Sequence, residues 1–326
     1  MKGAIAFFVG AFAMACAFAG DARRLPGPII DPNWLQVHRA EVVVIDVRES
    51  TAEFSMEPQF MVDQDTGRRR LVEAGGHIPG ALMMEFSKLR TQRLIDGRKI
   101  SWVVPTAAEF EELMRETGIP ADKPIVIVTQ GSTPEELDLA ARAYWTIKYY
   151  GGDDLAILDG GTVGWLEDGH PVVSAAAGKG EISRGDWRAG PPREKLIADS
   201  AKVAKALDSG VQLVDVRPAA FYFGLQRKPA VTGVGHIGGA VNFPPELHSR
   251  PVGMSQRFLS PAEYREILRG VGVRPEVPLI AYCNTGHMAA GAWFIASEVL
   301  GNHSAALYDG SLARWTAEGR PLVTTR

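Results

Sequence analysis

Short uninterrupted apolar runs recur along the chain. Glu41-Val-Val-Val-Ile-Asp46-Val-Arg48, Pro124-Ile-Val-Ile-Val-Thr129, Val211-Gln-Leu-Val-Asp215-Val-Arg217 and Pro278-Leu-Ile-Ala-Tyr-Cys283 each have the length and composition of a strand buried on both faces. After the last of these comes a polar loop, Asn284-Thr-Gly-His287, and then apolar residues at 288, 292, 295, 296 and 299. That spacing predicts a helix, and Gly301 is placed to stop it. Strands alternating with helical stretches predict an α/β fold with mainly parallel sheets covered by helices.

The pattern occurs twice. Asp46-Val-Arg48 is answered by Asp215-Val-Arg217, Gly76-His77-Ile-Pro-Gly-Ala81 by Gly235-His236-Ile-Gly-Gly-Ala240, and Leu158-Asp159-Gly-Gly161 with Trp165 by Tyr308-Asp309-Gly-Ser311 with Trp315. The offset shrinks from 169 at Asp46 and Asp215, through 159 at His77 and His236, to 150 at Asp159 and Asp309, a drift that loop insertions account for. One domain has been duplicated. The expected division is a leader over 1–19, a first domain over 25–175, a linker rich in Gly, Ala, Pro and charge over 176–194, and a second domain over 195–326. Both Asp-x-Arg pairs and both Gly-His-Ile turns are expected to maintain the fold, since they occur in both copies. Asp215 and Arg217 also remain candidates for ordering the neighbouring loop.

The copies differ where chemistry would be done. The second has Cys283 at the carboxyl end of its strand, where open α/β sheets place their ligands. Loop amides and the helix dipole following a cysteine in that position favour a thiolate and bound anions. Residues Asn284, Thr285, Gly286, His287, Met288 and Ala289 form the expected binding loop. Within it His287 either adds positive charge or a hydrogen bond to an anion, or caps the loop from outside, while Met288 packs inward. The alternative reading of Cys283 is a small buried hydrophobe. In the first copy the corresponding place reads Thr129-Gln-Gly-Ser-Thr133-Pro-Glu-Glu136, with no thiol and with the form of a capping box. There a carboxylate of the chain is expected to fill the helix end, leaving this copy non-catalytic.

Composition narrows the function classes. An apolar fraction of 46%, a charged fraction of 22% and a formal charge of −3 fit a globular protein and argue against nucleic acid as the main partner. Lys2 followed by the apolar run to Ala15 and by Ala17-Phe-Ala19 reads as a secretory leader, which predicts a periplasmic protein with no membrane attachment after cleavage. An uncleaved anchor is the alternative. Cleavage removes Lys2 and Cys16, taking the charge to −4 and leaving Cys283 as the single cysteine. A lone thiol cannot form an internal disulfide or a Cys-rich metal site, so Cys283 is a candidate reactive group. The polar insertion from Ser55 to Arg70 ends in Arg68-Arg-Arg70, either a solvated loop or a docking patch for an anionic partner.

Taken together, the ordered motifs resemble the tandem-domain sulfurtransferases of the rhodanese family. These are Asp-x-Arg, Gly235-His-Ile-Gly-Gly-Ala-Val-Asn-Phe-Pro244, the strand-Cys283-loop-helix, and Tyr308-Asp-Gly-Ser with Trp315, and they span nearly the whole mature chain. The resemblance implies two rhodanese-like domains, the first inactive, and a Cys283 persulfide formed from thiosulfate or a related donor and discharged to cyanide, a thiol or a protein acceptor, with no metal and no organic cofactor. 3-Mercaptopyruvate is the alternative donor. It also implies basic side chains at positions that here hold Thr285 and Phe221, so the anion is expected to meet loop amides, His287, and an arginine from elsewhere, with Arg227, Arg250 and Arg257 nearest in sequence. A phosphatase or arsenate reductase loop is disfavoured because His287-Met-Ala289 offers no closing arginine. A redox-sensing or docking module remains the other class.

Overall fold

The computed structural model describes residues 25–175 and 182–324; the expected leader lies outside the described residues. Two five-stranded parallel sheets form the frame. In the first, the spatial order is Ile29–Ile30, Leu155–Leu158, Ile125–Val128, Val43–Arg48, Leu82–Glu85. The second repeats it with Ile197–Ala198, Ala305–Tyr308, Leu279–Tyr282, Gln212–Asp215 and Val241–Asn242. The central strands Ile125–Val128 and Leu279–Tyr282 are buried at every residue, which is why they read as continuous apolar runs.

Both Asp-x-Arg motifs close on themselves. Arg48 Nε and Arg217 Nε donate to Asp46 and Asp215 at 2.7 and 2.9 Å, and each arginine also bonds the carbonyl of the glycine opening the Gly-His-Ile turn, Gly76 or Gly235. The turn histidines stack on Phe54 and Tyr222 and bond those residues' carbonyls. Gly235, at φ 95°, cannot be replaced cheaply, because an added Cβ would lie 2.0 Å from the Val323 carbonyl oxygen. The insertion after Ser55 forms an antiparallel hairpin, Gln59–Val62 with Arg69–Glu73, and Arg68, Arg69 and Arg70 are exposed on it.

The two domains share one core. Helix Pro134–Tyr149 of the first is buried on nearly every face and packs against Ala289–Phe294 of the second, with Tyr144 edge-on to Phe294 at 5.0 Å. A helix buried along most of its length needs cover on both sides, and the second domain supplies the outer one. Residues 182–194 of the expected linker run along the first domain, where Trp187 is buried and its amide bonds the Ile119 carbonyl. Each domain also extends a hairpin onto the other. Thr91–Ile95 with Arg98–Val103 leads to Val104, whose amide bonds Asp309 Oδ2 at 2.7 Å, and Ser249–Val252 with Ser255–Phe258 ends at Phe258, whose amide bonds Asp159 Oδ1 at 2.8 Å.

Beneath this interface lies a buried pair, His248 Nδ1 to Asp138 Oδ1 at 2.8 Å, joining the second domain to helix Pro134–Tyr149. Burial lifts the Asp138 carboxyl to about 6, against the opposing pull of His248. Removing one member of such a pair strands the other, so His248→Ala is expected to destabilise the protein by ~3–5 kcal/mol in urea denaturation. A carboxyl with a raised folded pKa contributes stability below its unfolded value of 3.8 and loses it as pH rises through about 6. Without the pull of His248 the Asp138 carboxylate is harder still to form, so the deficit of the variant is expected to grow as pH rises past 6.

Candidate active site

Cys283 follows the last residue of the central strand Leu279–Tyr282, and only 2% of its surface is exposed. Its amide donates to Ser311 Oγ at 3.1 Å, its carbonyl accepts from the Leu312 amide, and the Asn284 carbonyl accepts from the Ala313 amide. Ser311 is held in the left-handed region at φ 46°, with its hydroxyl donating to the Tyr308 carbonyl. The Tyr-Asp-Gly-Ser motif is thus the cradle under the cysteine loop.

Within that loop Gly286 turns at φ 78°, and an added Cβ would lie 2.4 Å from the Asp309 carbonyl oxygen. Among the described residues the amides of Asn284 through Met288 find no acceptor, leaving donors free at the mouth of the loop. Asn284 is buried with Oδ1 unpartnered, Ala289 is fully buried, and Met288 packs on the core with part of its side chain on the cavity wall. Ala289–Phe294 is one and a half turns of α-helix continued by a π-helical turn, Ile295–Val299, before Gly301 at φ 78°.

The thiol opens onto a cavity of about 640 Å³ between the domains, to which Thr285, His287 and Met288 contribute from one side and Arg90, Trp102 and Leu139 from the other. Its lining carries Glu49, Glu135 and Glu136 and two cations, the exposed Lys228 and the more enclosed Arg90. The Nε of Arg90 is buried without a hydrogen-bond partner and its guanidinium lies 4.3 Å from the centre of the Phe86 ring. Burial, and then the neighbouring Arg142, pull its pKa down to about 10, against the opposing pull of Cys283, Glu49 and Asp309. It remains charged at neutral pH.

The second arginine, Arg142, is fully buried in helix Pro134–Tyr149. Its Nη1 lies 2.6 Å from Asp309 Oδ1 and donates to the Gly286 carbonyl at 3.2 Å, so the first domain clamps the loop of the second. Both contacts run through Nη1, Nε and Nη2 being unpartnered, and the shorter side chain of Arg142→Lys keeps the charge but does not place a nitrogen at that point. That variant is expected to lose ~1–3 kcal/mol of stability in a denaturant titration, and kcat is expected to fall with it as the loop loosens.

Several sequence expectations are corrected here. His287 does not supply positive charge: burial, reinforced by Arg90 and Arg142, drives its pKa down to about 3, and Nε2 is buried unpartnered beside Phe86. Arg227 is spent on the Val231 carbonyl and Arg250 on Glu263. Arg257 lies against Asp159 and Gly164 of the first domain. The side chains of Asp215 and Arg217 bond each other and the Gly235 turn rather than the cysteine loop, so they act on the fold. Arg90 and Arg142 escaped the sequence reading because they lie 193 and 141 residues before Cys283 in the other copy, with no motif around them.

The first domain's version of the site is filled as expected. Thr129 takes the place of Cys283, its carbonyl accepting from the Thr162 amide as that of Cys283 does from Leu312. Glu136 Oε2 accepts from the Ser132 and Thr133 amides at 2.6 and 3.2 Å, so a carboxylate occupies the loop.

The rhodanese-like domain profile matches residues 31–168 and 199–318. The chain belongs to the rhodanese family. A putative thiosulfate sulfurtransferase of Haloferax volcanii is 31% identical over 245 residues, covering 73% of this chain and 80% of that protein. The 3-mercaptopyruvate sulfurtransferase of Escherichia coli is 27% identical over 292 residues, covering 88% of this chain and 94% of that one. A crystal structure of an Escherichia coli 3-mercaptopyruvate sulfurtransferase superposes with a TM-score of 0.68 at 25% identity, covering 87% of this chain and 98% of the other. This tandem rhodanese is a sulfurtransferase.

Proposed function

We propose that Cys283 carries sulfur as a persulfide taken from an anionic sulfane donor of the thiosulfate type. The observation behind this reading is the half-buried Arg90, its buried Nε without a hydrogen-bond partner, lining the same cavity as the chain's only described cysteine. A buried cation without a partner is costly unless an anion completes it. The Cys283 thiolate attacks the outer sulfur of thiosulfate, forming an Sγ–S bond as the donor's S–S bond breaks and its electron pair leaves on sulfite. An acceptor thiolate or cyanide then attacks that outer sulfur, and the Cys283 thiolate is regenerated, a ping-pong cycle. The free amides of the loop are in place to stabilise the persulfide's negative charge. Intact mass after exposure to thiosulfate tests the reading: one sulfur added on Cys283 is expected, whereas no gain on an accessible thiol would favour a redox-sensing or docking role.

The apolar leader supports an exported, periplasmic location. N-terminal sequencing after cell fractionation is expected to find the protein beginning near Gly20, and an intact Met1 in the cytosolic fraction would refute export.

A further inference from the structure

The first domain's abandoned site is not merely blocked. A recess of about 190 Å³ remains there, lined among others by Arg48, Glu49, Glu53, Thr129 and Glu136. Glu49, Glu136 and Leu139 also line the thiol cavity, so the two spaces adjoin. Thr129 is 2% exposed and its Oγ1 has no hydrogen-bond partner; Arg48 is 3% exposed and its Nη1 has none either, although its Nε and Nη2 are engaged. A buried hydroxyl and a buried guanidinium nitrogen left open in one recess, beneath three carboxylates, are complementary to a group with a carboxylate at one end and an ammonium beside it.

We infer that this recess holds the α-amino-acid end of the acceptor thiol, with its carboxylate on Arg48 Nη1 and Thr129 Oγ1, its ammonium facing Glu49 and Glu53, and its sulfur reaching Cys283 past Leu139. The inference rests on the persulfide reading. A threonine hydroxyl cannot replace a thiolate as sulfur carrier, but it can bind, so duplication leaves one site for chemistry and one for recognition. In the step served, the acceptor thiolate attacks the outer sulfur of the persulfide, a new S–S bond forms, the Cys283 Sγ–S bond breaks, and the electron pair departs on Cys283. The acceptor's proton is lost to solvent, and one S–S bond has been exchanged for another without net oxidation.

The full chain, loaded with thiosulfate and desalted, would be mixed with three thiols of like reactivity. They are γ-glutamylcysteine, glutarylcysteine, which lacks the amino group, and 4-aminobutyrylcysteine, which lacks the α-carboxylate. Loss of the extra sulfur from Cys283 is followed by mass in timed quenches. Discharge by γ-glutamylcysteine is expected to be at least about tenfold faster than by either analogue, the size of one charge-assisted contact. Glu53→Gln is expected to shrink its advantage over glutarylcysteine to under about threefold, and Thr129→Val to shrink that over 4-aminobutyrylcysteine. Because each variant is read as a ratio between thiols, a general loss of folding or rate does not mimic the result. Equal discharge by all three thiols, or ratios unmoved by both substitutions, would overturn the acceptor site. Failure to load sulfur at all would instead overturn the persulfide reading.

Discussion

Cys283→Ser is expected to gain no sulfur from thiosulfate and to lose turnover to background, while unfolding within about 1 kcal/mol of the wild type. The oxygen is nearly the same size as sulfur and takes the same place between the Ser311 cradle and the loop amides. Serine is a poor sulfane acceptor because an S–O adduct lacks the stability and nucleophilic lability of a persulfide. Thiosulfate:cyanide turnover above trace in the purified variant, with its mass unchanged by donor, would end the persulfide mechanism.

Arg90→Gln is expected to lower kcat/KM for thiosulfate by roughly ten- to hundredfold, which is the loss of one charge-assisted hydrogen bond at ~1.5–3 kcal/mol. The effect should fall mainly on KM, because the guanidinium meets the donor before the chemical step. Arg90→Lys is expected to recover only part of it, since an ammonium cannot present two parallel donors from the Phe86 face. The comparison that matters is with His287→Ala. A neutral imidazole holds no charge contact to lose, so its substitution is expected to change KM less than that of Arg90 does. Equal effects would mean that Arg90 does not hold the anion.

The His287 result carries a pH consequence. Its protonation is suppressed from the ordinary 6.5 to about 3, so between those values the unfolded chain binds a proton that the folded chain refuses. The stability this neutral residue contributes is complete above 6.5 and is lost as pH falls toward 3. The buried Asp138 has the opposite dependence, so acid stability reflects two groups with opposing slopes.

Much was legible from the chain alone because it depends on local pattern. Buried parallel strands leave continuous apolar runs, a duplicated domain leaves paired motifs, and a strand-to-helix loop holding a solitary cysteine leaves a recognisable place for a thiolate. The filling of the first copy's loop by Glu136 was equally readable, because a capping box is a contact over three residues. Asp-x-Arg and Gly-His-Ile recurred in the copy without a thiol, and their bonds prove to be spent on turns.

The charge at the site was decided by the tertiary structure. His287 lies within the cysteine loop, yet its neutrality comes first from burial and then from two guanidiniums brought in from the other domain, so it could not be read from neighbours in sequence. Arg250 and Arg257 are closer to Cys283 along the chain than Arg90 is, but the hairpin carrying them crosses toward the first domain, as the hairpin after Arg90 crosses toward the second. A parallel sheet places its reactive loop at one end, and a loop at the end of a sheet is completed by whatever packs over it. Here that is the duplicate, because helix Pro134–Tyr149 buries most of its residues, Asp138 and Arg142 included, and both its apolar and its buried polar side chains find their partners in the second domain. Local pattern therefore determined where the thiol stands, and the docking of the two cores decided which cations face it.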